Sequence, residues 1–111
     1  MTELAEQHCV PCEGGVNPLT EAEARRYLEK IAPDWELTGG AMEIRRDFQF
    51  KGFNKTMGFV NALAWIANAE GHHPDLEVGY KHCLVRFTTH AIGGLSENDF
   101  ICAAKVDRLL F

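Results

Sequence analysis

The stretch that most constrains the fold is a hydrophobic stripe with helical spacing that ends at a glycine. Apolar side chains recur every three or four residues from Phe53 to Ala67, which predicts one long amphipathic helix. We expect Asn54 to cap its start and Gly71 to end it in the left-handed conformation. Because this spacing is more typical of a core face than of a cofactor site, the helix should be the main contributor to the core.

Alternating patterns on both sides of this helix predict four strands. Upstream, apolar and polar residues alternate from Met42 to Phe50, after a turn at Gly39-Gly40 that makes this segment the second strand of a hairpin. Only Arg46 interrupts the apolar face, and the alternating pattern does not predict where its side chain lies. Downstream, two more alternating segments flank a tight connection at residues 79–81.

Two capping boxes predict the remaining helices. The first helix should begin after Thr20 and run to Ala32, because Pro33 disfavours helical backbone in the residue before it. The last should begin after Ser96, with Asp99 at the third helical position.

The resulting order is helix, two strands, helix, two strands, helix. It predicts an α+β fold in which a four-stranded antiparallel sheet carries three helices on one face. The uncovered face, where apolar, would favour self-association, so we expect a homodimer or homotetramer. Residues 18–111 should form the single domain. Residues 1–17, which have no hydrophobic period, are predicted to be a flexible lead-in without a function of their own.

Composition excludes several classes of partner. The 111 residues carry a net charge of -5 and a pI near 5.5, which disfavours nucleic acid. No apolar run approaches the roughly 18 residues that span a bilayer, and the N-terminal residues do not resemble an export signal. We therefore predict a cytoplasmic protein with neither nucleic acid nor membrane as a partner.

The four cysteines do not form a convincing metal motif. Cys9 and Cys12 make a lone CxxC beside His8, but Cys83 and Cys102 lie in a predicted strand and helix with no second CxxC. A tetrahedral zinc site needs four ligands. Unpaired thiols are the favoured interpretation, and a metal site is the alternative.

Three histidines stand where predicted elements end. His72 and His73 follow the long helix, and His90 follows the last strand. Taken alone, His72 would be a helix cap and His90 a surface residue, the interpretation that we also give to His8 and His82. In a helix-on-sheet fold, however, the two element ends can meet at one edge.

General acid-base catalysis is the chemistry that these imidazoles favour. Three histidines can bind zinc, but adjacent side chains in an extended His72-His73 segment point to opposite sides. No serine or cysteine lies in a recognisable nucleophile motif. Imidazoles titrate near neutral pH, with an ordinary pKa of about 6.5, and can therefore both donate and accept protons.

These residues also carry a family resemblance, which extends from about Leu19 to Val106. The chain resembles the pterin-4a-carbinolamine dehydratases, also called dimerisation cofactors of a homeodomain transcription factor. The matching residues are His72-His73-Pro74, Tyr80, Thr89-His90, Gly94-Leu95-Ser96 and Asp99, with Trp35 and residues 48–54 upstream.

The resemblance implies an activity. It is the dehydration of 4a-hydroxytetrahydropterin to quinonoid dihydropterin, a recycling step after aromatic amino acid hydroxylation. By analogy, His72 and His90 act as acid and base and His73 mainly binds and orients the substrate. The pterin is the substrate, and no cofactor or metal is implied, because loss of water involves no electron transfer. The family assembles as a dimer of dimers.

The resemblance also implies a set of substrate-binding residues and one departure from the family pattern. Asn68 stands where the family has an acid, so we expect altered rate or pterin affinity rather than loss of activity. Glu70 is a poor geometric substitute, and for Asp99 a capping role is favoured over catalysis. The implied residues are Trp35, Asn68, Glu70, Gly71, Pro74, Thr88, Thr89 and Asp99.

Two other functions remain open. Relatives act as partners that stabilise another protein's dimer, so the chain could be a protein-binding module with little catalysis. It could also be a small metal-binding protein that uses Cys9, Cys12 and the histidines.

Overall fold

A four-stranded antiparallel sheet organises the chain, in a computed structural model that describes residues 3–11 and 16–110. The strand order is β1-β2-β4-β3. The predicted α+β class and the predicted order of helices and strands are confirmed. The elements are α1 (Glu21–Leu28), β1 (Glu36–Thr38), β2 (Glu43–Gln49), α2 (Phe53–Glu70), β3 (Asp75–Val78), β4 (His82–Phe87) and α3 (Glu97–Asp107), with short 3-10 turns at Leu4–Glu6 and His90–Ile92.

One face of the sheet is buried against the helices. In β2 and β4 alternate residues point to the same face, and register pairs Phe48 with Cys83 and Ile44 with Phe87. These side chains are at most 2% exposed, and they share one core cluster with Phe59 of α2. The other large members of this core are Trp35, Leu63, Val85, Leu95, Phe100, Ile101 and Val106.

The opposite face of the sheet is polar. Arg45, Asp47 and Gln49 project from β2 and are exposed, and Arg86 of β4 forms an ion pair of 2.6 Å with Glu77 of β3. This face therefore lacks the apolar character on which our expectation of self-association depended. The most exposed large apolar side chain of the described residues is Trp65 of α2, at 72%. A homodimer or homotetramer stays a prediction.

Helix α2 begins earlier than expected and ends as expected. Its N-cap is Gly52 rather than Asn54, which is the second helical residue. Thr56 stabilises this start, because its hydroxyl lies 2.9 Å from the carbonyl oxygens of both Gly52 and Tyr80 and can donate its one proton to either. At the other end Gly71 adopts the left-handed conformation with φ of 64°, as its sequence position predicts.

Helix α1 is shorter than predicted. It ends at Leu28, four residues before Ala32. Beyond Leu28 the chain continues in tighter turns, in which Lys30 N–H donates to Tyr27 at 2.9 Å and Ile31 N–H to Leu28 at 3.4 Å. These three-residue bonds replace the last helical turn ahead of Pro33.

The first hairpin turn is longer than Gly39-Gly40. Ala41 also has a positive φ, of 68°, so three consecutive residues are left-handed. As a result β2 begins at Glu43, and Met42 lies in the turn with 50% of its surface exposed, not on the buried face.

Arg46 has a partner that its strand pattern did not reveal. Its Nη1 donates to Asp107 Oδ1 at 2.8 Å, and its guanidinium lies 4.3 Å from the centre of the Phe48 ring. The indole Nε1 of Trp35 donates to the same carboxylate, at 2.9 Å. These contacts join the sheet to the end of α3.

The described part of the N-terminal lead-in is packed against α3. Leu4 is 6% exposed and belongs to the core, and Lys105 Nζ donates to the carbonyl of Ala5 at 2.9 Å. Flexibility of residues 1–17 stays a prediction. Cys12, Gly14 and Gly15 lie outside the described residues.

Candidate active site

The C-terminus of α2 positions the two adjacent histidines. Because Gly71 is left-handed, the chain turns sharply and His72 N–H returns to the carbonyl of Ala67, at 3.1 Å. The residues from His72 to Pro74 then run away from the helix axis into β3, which begins at Asp75. The sharp turn places His72 beside β4 and α3.

His72 is part of a buried hydrogen-bond network. Its Nε2 lies 2.6 Å from Oδ1 of Asp99, a side chain with no exposed surface. The second oxygen of Asp99 accepts from Thr89 Oγ1 at 2.8 Å and from Ser96 N–H at 2.9 Å. The ring also lies parallel to Phe87, with centroids 6.1 Å apart. Both oxygens of the carboxylate are thus used, and one orients the imidazole.

Asp99 therefore has two roles at once. It accepts the Ser96 N–H, which is the capping role that we favoured. It also holds His72, which the capping box alone did not indicate. A carboxylate can only accept hydrogen bonds, so the His72 nitrogen that faces it must carry the proton.

His73 has a different partner. Its Nε2 lies 3.0 Å from Oδ1 of Asn68, on the exposed surface of α2. The two neighbouring imidazoles thus bind different side chains on different helices. Asn68 therefore contacts the site through His73.

His90 lies in the loop after β4. Thr89 and Gly94 pair across this loop, with a hydrogen bond of 2.9 Å from Thr89 N–H to Gly94, and the 3-10 turn His90–Ile92 fills the space between them. Gly93 has a positive φ of 69°, which closes the turn. The side chain of His90 is exposed at the rim of the site.

A cavity of about 490 Å³ brings the three histidines together. Its volume lies in the range of about 300–1,000 Å³ that is usual for small-molecule sites. Seven of the residues that we predicted for the site line it: Glu70, Gly71, His72, His73, Thr88, Thr89 and His90.

The other four predicted residues do not line the cavity. Asp99 lies behind His72 and Asn68 binds His73, so both act through a histidine. Trp35 is 3% exposed, packs between Phe48 and Phe87 and binds Asp107 instead. Pro74 is half-buried at the start of β3. Our expectation that Trp35 helps to form the pocket does not agree with this position.

Sequence reasoning missed five lining residues within the described ranges: Cys9, Val10, Pro11, Ala91 and Asn98. The sequence did contain one indication of Asn98: it is a polar residue next to Asp99 in the first turn of α3, close to the predicted site. The N-terminal residues carried none, because no hydrophobic period marks them.

Glu70 lines the cavity, but its carboxylate is engaged. It accepts from Cys9 N–H at 2.7 Å and lies 3.0 Å from His8 Nδ1 and 3.6 Å from Lys105 Nζ. Burial raises the pKa of Glu70, but these hydrogen bonds and the charge of Lys105 outweigh burial, and the pKa lies below its ordinary 4.5.

The buried thiols are poor nucleophiles at neutral pH. Burial raises the pKa of Cys83 to about 11. The hydrogen bond with Cys9, together with burial, raises the pKa of Cys102. Among residues 3–11 and 16–110, no group of three His, Cys, Asp or Glu side chains is arranged to hold a metal ion. Cys12, half of the CxxC pair, lies outside those residues.

Two other features bear on the choice of site. Two larger cavities, of about 530 and 540 Å³, lie between the 3-10 turn Leu4–Glu6 and the end of α3 and around the start of α2, but none of their lining residues is a histidine. We therefore place the chemistry in the smaller cavity that the histidines line. In the part of the chain that the structure covers, no helix combines the length and the apolar character needed to cross a membrane.

Comparison with known proteins identifies the family of this chain. The family model described as pterin 4 alpha carbinolamine dehydratase matches residues 17–109. The chain belongs to this family. Similar curated proteins named "Putative pterin-4-alpha-carbinolamine dehydratase" come from Nitrosomonas eutropha, at 56% identity over 97% of this chain and 94% of the relative, and from Legionella pneumophila strain Corby, at 52% over 98% and 96%. The predicted resemblance is confirmed.

Two solved structures share the fold. A transcriptional coactivator/pterin dehydratase from Brucella melitensis is 32% identical, with a TM-score of 0.80 over 86% of this chain and all of that chain. A pterin dehydratase-like protein, identified as a RuBisCO assembly factor in the alpha-carboxysome, is 25% identical, with a TM-score of 0.60 over 68% of this chain and 88% of that one. Members of this fold therefore bear names of two kinds, catalytic and protein-assembling.

Proposed function

We propose that this chain is a hydro-lyase that dehydrates 4a-hydroxytetrahydropterin to quinonoid dihydropterin and water. Family membership supports the reaction class, and the observation that carries the proposal is the shared cavity of His72, His73 and His90. We further propose that the reaction serves pterin recycling after aromatic amino acid hydroxylation.

The reaction needs one proton acceptor and one proton donor. A proton leaves a ring nitrogen of the substrate, and the 4a-hydroxyl leaves as water after it has been protonated. The net change contains no electron transfer, so the chemistry calls for neither a metal nor an organic cofactor. Each correctly placed imidazole typically contributes about 10²- to 10⁴-fold.

The network around His72 favours it as the proton acceptor. With the Nε2 proton directed at Asp99, the neutral ring keeps a lone pair on Nδ1 that can take a proton. The buried carboxylate then stabilises the imidazolium that forms, as in other histidine-carboxylate pairs. Burial of Asp99 among Thr89 and Ser96 holds this pair in one orientation.

His90 is the proposed donor to the departing hydroxyl, and His73 is proposed to bind and orient the pterin. His90 stands on a different element, the turn after β4, so the two reacting groups approach the substrate from different walls. His73 is held by Asn68 rather than by an acid, so its partner carries no charge that could stabilise an imidazolium.

Turnover of freshly generated 4a-hydroxytetrahydropterin, followed by ultraviolet absorbance against the spontaneous reaction, tests the proposal. We expect wild type to exceed the spontaneous rate clearly and the His72→Ala/His90→Ala double variant to fall to that rate. His82→Ala is the matched control, because His82 binds Asp47 on the polar face of the sheet, opposite the helices. A wild-type rate equal to the spontaneous one would contradict the proposal.

A protein-binding module is the second candidate, favoured by the names of the two structural neighbours and by the exposed Trp65. Trp65 does not line the histidine cavity, so the two functions can be tested with different variants. If the His72→Ala/His90→Ala variant keeps the biological effect in cells and Trp65→Ala loses it, the module is the main function. The opposite pattern supports the enzyme.

A further inference from the structure

A short N-terminal segment closes one side of the candidate active site. We call residues 8–11 the strap. Cys9, Val10 and Pro11 of the strap line the same cavity as the three histidines. The strap precedes residue 17, where the match to the family model begins. This wall is therefore an addition to the matched domain.

The strap is tied to the two helices that build the site. Asn98, 4% exposed in the first turn of α3, accepts from Val10 N–H at 3.1 Å and donates to the Val10 carbonyl at 2.6 Å. On the side of α2, Glu70 accepts from Cys9 N–H at 2.7 Å. Asn98 is also the chain neighbour of Asp99, which orients His72. The strap and the catalytic histidine are thus held by consecutive residues.

A third contact ties the strap to the middle of α3. The sulfur of Cys9 lies 3.5 Å from the sulfur of buried Cys102 and 3.6 Å from the carbonyl of Asn98. Cys9 is half-buried, whereas the neighbouring Val10 is 66% exposed. The strap is therefore anchored on its inner side, and its apolar side chains stand at the mouth of the cavity.

The wall that the strap presents has few groups that could bind an anion. The backbone N–H groups of Cys9 and Val10 are already donated to Glu70 and Asn98, and Pro11 has none. Anions in proteins are bound mainly by free N–H groups and cations. The carboxylate of Glu70, which accepts from Cys9 N–H, lines the cavity beside this wall.

We propose that the strap selects the substrate: it admits pterins whose side chain is short and uncharged and disfavours those that carry a carboxylate or phosphate. Asn98 is the positioning residue that holds this wall. The inference rests on the proposed dehydratase function and adds the class of substrate to it.

The test compares two 4a-hydroxytetrahydropterins, one with a methyl side chain and one with a carboxylate-bearing side chain. We expect wild type to show the higher kcat/KM for the methyl compound. In Asn98→Ala this preference should fall about tenfold, which corresponds to about 1.4 kcal/mol, mainly through a lower KM for the charged substrate. Asn61→Ala, an exposed change on α2, is the matched control and should keep the wild-type preference.

A crosslink separates positioning from general damage. In a Cys12→Ser background, the oxidant diamide takes two electrons and two protons from the Cys9 and Cys102 thiols and leaves a disulfide, which fixes the strap. We expect the oxidised Asn98→Ala protein to regain the wild-type preference, with the bond verified by peptide mass mapping. If Asn98→Ala lowered the preference by general damage to the fold rather than by releasing the strap, the disulfide would not restore it.

The outcomes distinguish this inference from the proposed function. If wild type turns over neither compound faster than the spontaneous reaction, the proposed function fails. If it turns over at least one, and the preference is absent or is the same in wild type, Asn98→Ala and the crosslinked protein, only the strap inference fails. If Asn98→Ala does not fold, Val10→Asp tests the strap in the opposite direction, since an added charge on the strap should lower kcat/KM for the charged substrate further and so raise the preference. An unchanged preference in that variant would overturn the inference.

Discussion

Helix α3 carries an aspartate near each end, and the two resemble each other closely. Asp99 stands in its first turn and Asp107 is its last residue. Each accepts one backbone N–H and hydrogen bonds from two side chains on other elements. The partners of Asp99 are Ser96 N–H, Thr89 and His72, and those of Asp107 are Ala32 N–H, Trp35 and Arg46.

The two aspartates differ in what their partners can do. The indole and guanidinium that bind Asp107 keep their protons throughout the physiological pH range. The imidazole that binds Asp99 can exchange its proton, and its ring lines an open cavity. A carboxylate whose two oxygens are both hydrogen-bonded therefore does not mark an active site by itself. The titratable partner and its access to a cavity decide the role.

The largest expected effect follows from changing each aspartate to asparagine. In Asp99→Asn the amide oxygen can serve Ser96 and Thr89, but the amide NH₂ then faces His72 and forces the imidazole proton onto the other nitrogen. We expect kcat/KM to fall about 10³-fold. Asp107→Asn makes the same change away from the cavity. Its kcat/KM should stay within about twofold of the wild-type value, far less than the loss expected for Asp99→Asn.

Steady-state kinetics with the methyl-substituted substrate measures both variants, at a temperature where each gives the far-ultraviolet spectrum of the folded protein. Equal losses of activity in the two variants would contradict the claim that the titratable partner decides the role of each aspartate. An Asp99→Asn enzyme with wild-type kcat would contradict it too, because His72 would then need no carboxylate.

The second prediction concerns stability, and here it is Asp107, the aspartate away from the cavity, that is changed. Asp107→Ala leaves the Arg46 guanidinium, whose side chain is 15% exposed, without its closest carboxylate. Removing one partner of a fully buried pair typically costs about 3–5 kcal/mol. The side chains of Arg46 and Asp107 are 15% and 17% exposed, and Asp34 lies 3.9 Å from the same guanidinium, so we expect the free energy of unfolding, from urea titration, to fall by about 2 kcal/mol.

The Asp107→Ala/Arg46→Met double variant checks the cause. Methionine keeps the aliphatic contact with Phe48 and removes the buried charge, so the double variant should be more stable than Asp107→Ala alone. Additive losses would mean that the two side chains do not interact.

Local patterns were enough to predict the elements of this fold. The alternation before Phe50, the two capping boxes and Gly71 each act over a few residues, and each lies where the structure has a strand or a helix end. The errors are at boundaries, as at Asn54 and Met42, where backbone φ angles of neighbouring residues decide the start of an element.

Long-range polar contacts were not predictable in the same way. Arg46 and Asp107 are 61 residues apart, and nothing periodic connects them. For Asp99, the local capping box was a sufficient explanation and concealed the bond to His72, 27 residues away. The convergence of His72, His73 and His90 was predicted because element ends meet at sheet edges. The strap was not, since its residues follow no pattern.

The third prediction gives His73 a carboxylate of its own. In Asn68→Glu, the new acid faces His73 on the surface of α2, in contrast to the buried Asp99. Exposed ion pairs contribute only about 0–1 kcal/mol, so we expect kcat or KM to change measurably, by about two- to fivefold, and stability to remain nearly constant. Asn61→Glu, exposed on the same helix, controls for added charge. Unchanged kcat and KM in Asn68→Glu would contradict our interpretation of this departure from the family pattern.

The smallest expected effect concerns Glu70, a third carboxylate with several partners, which holds the strap. Because its pKa is lowered in the folded protein, its ionised form stabilises the fold above the ordinary pKa of 4.5, and this contribution is lost as the pH falls through the lowered value. Wild type should therefore be more stable than Glu70→Gln at pH values above 4.5, and the difference should shrink as the pH falls from there through the lowered pKa. Urea unfolding measures it, in a His8→Ala background that leaves Lys105 as the only charged partner facing Glu70 in the described structure. If the difference in unfolding free energy between wild type and Glu70→Gln stays constant with pH, the strap is held by Asn98 and the thiol contact alone. Glu70 would then resemble neither aspartate of α3.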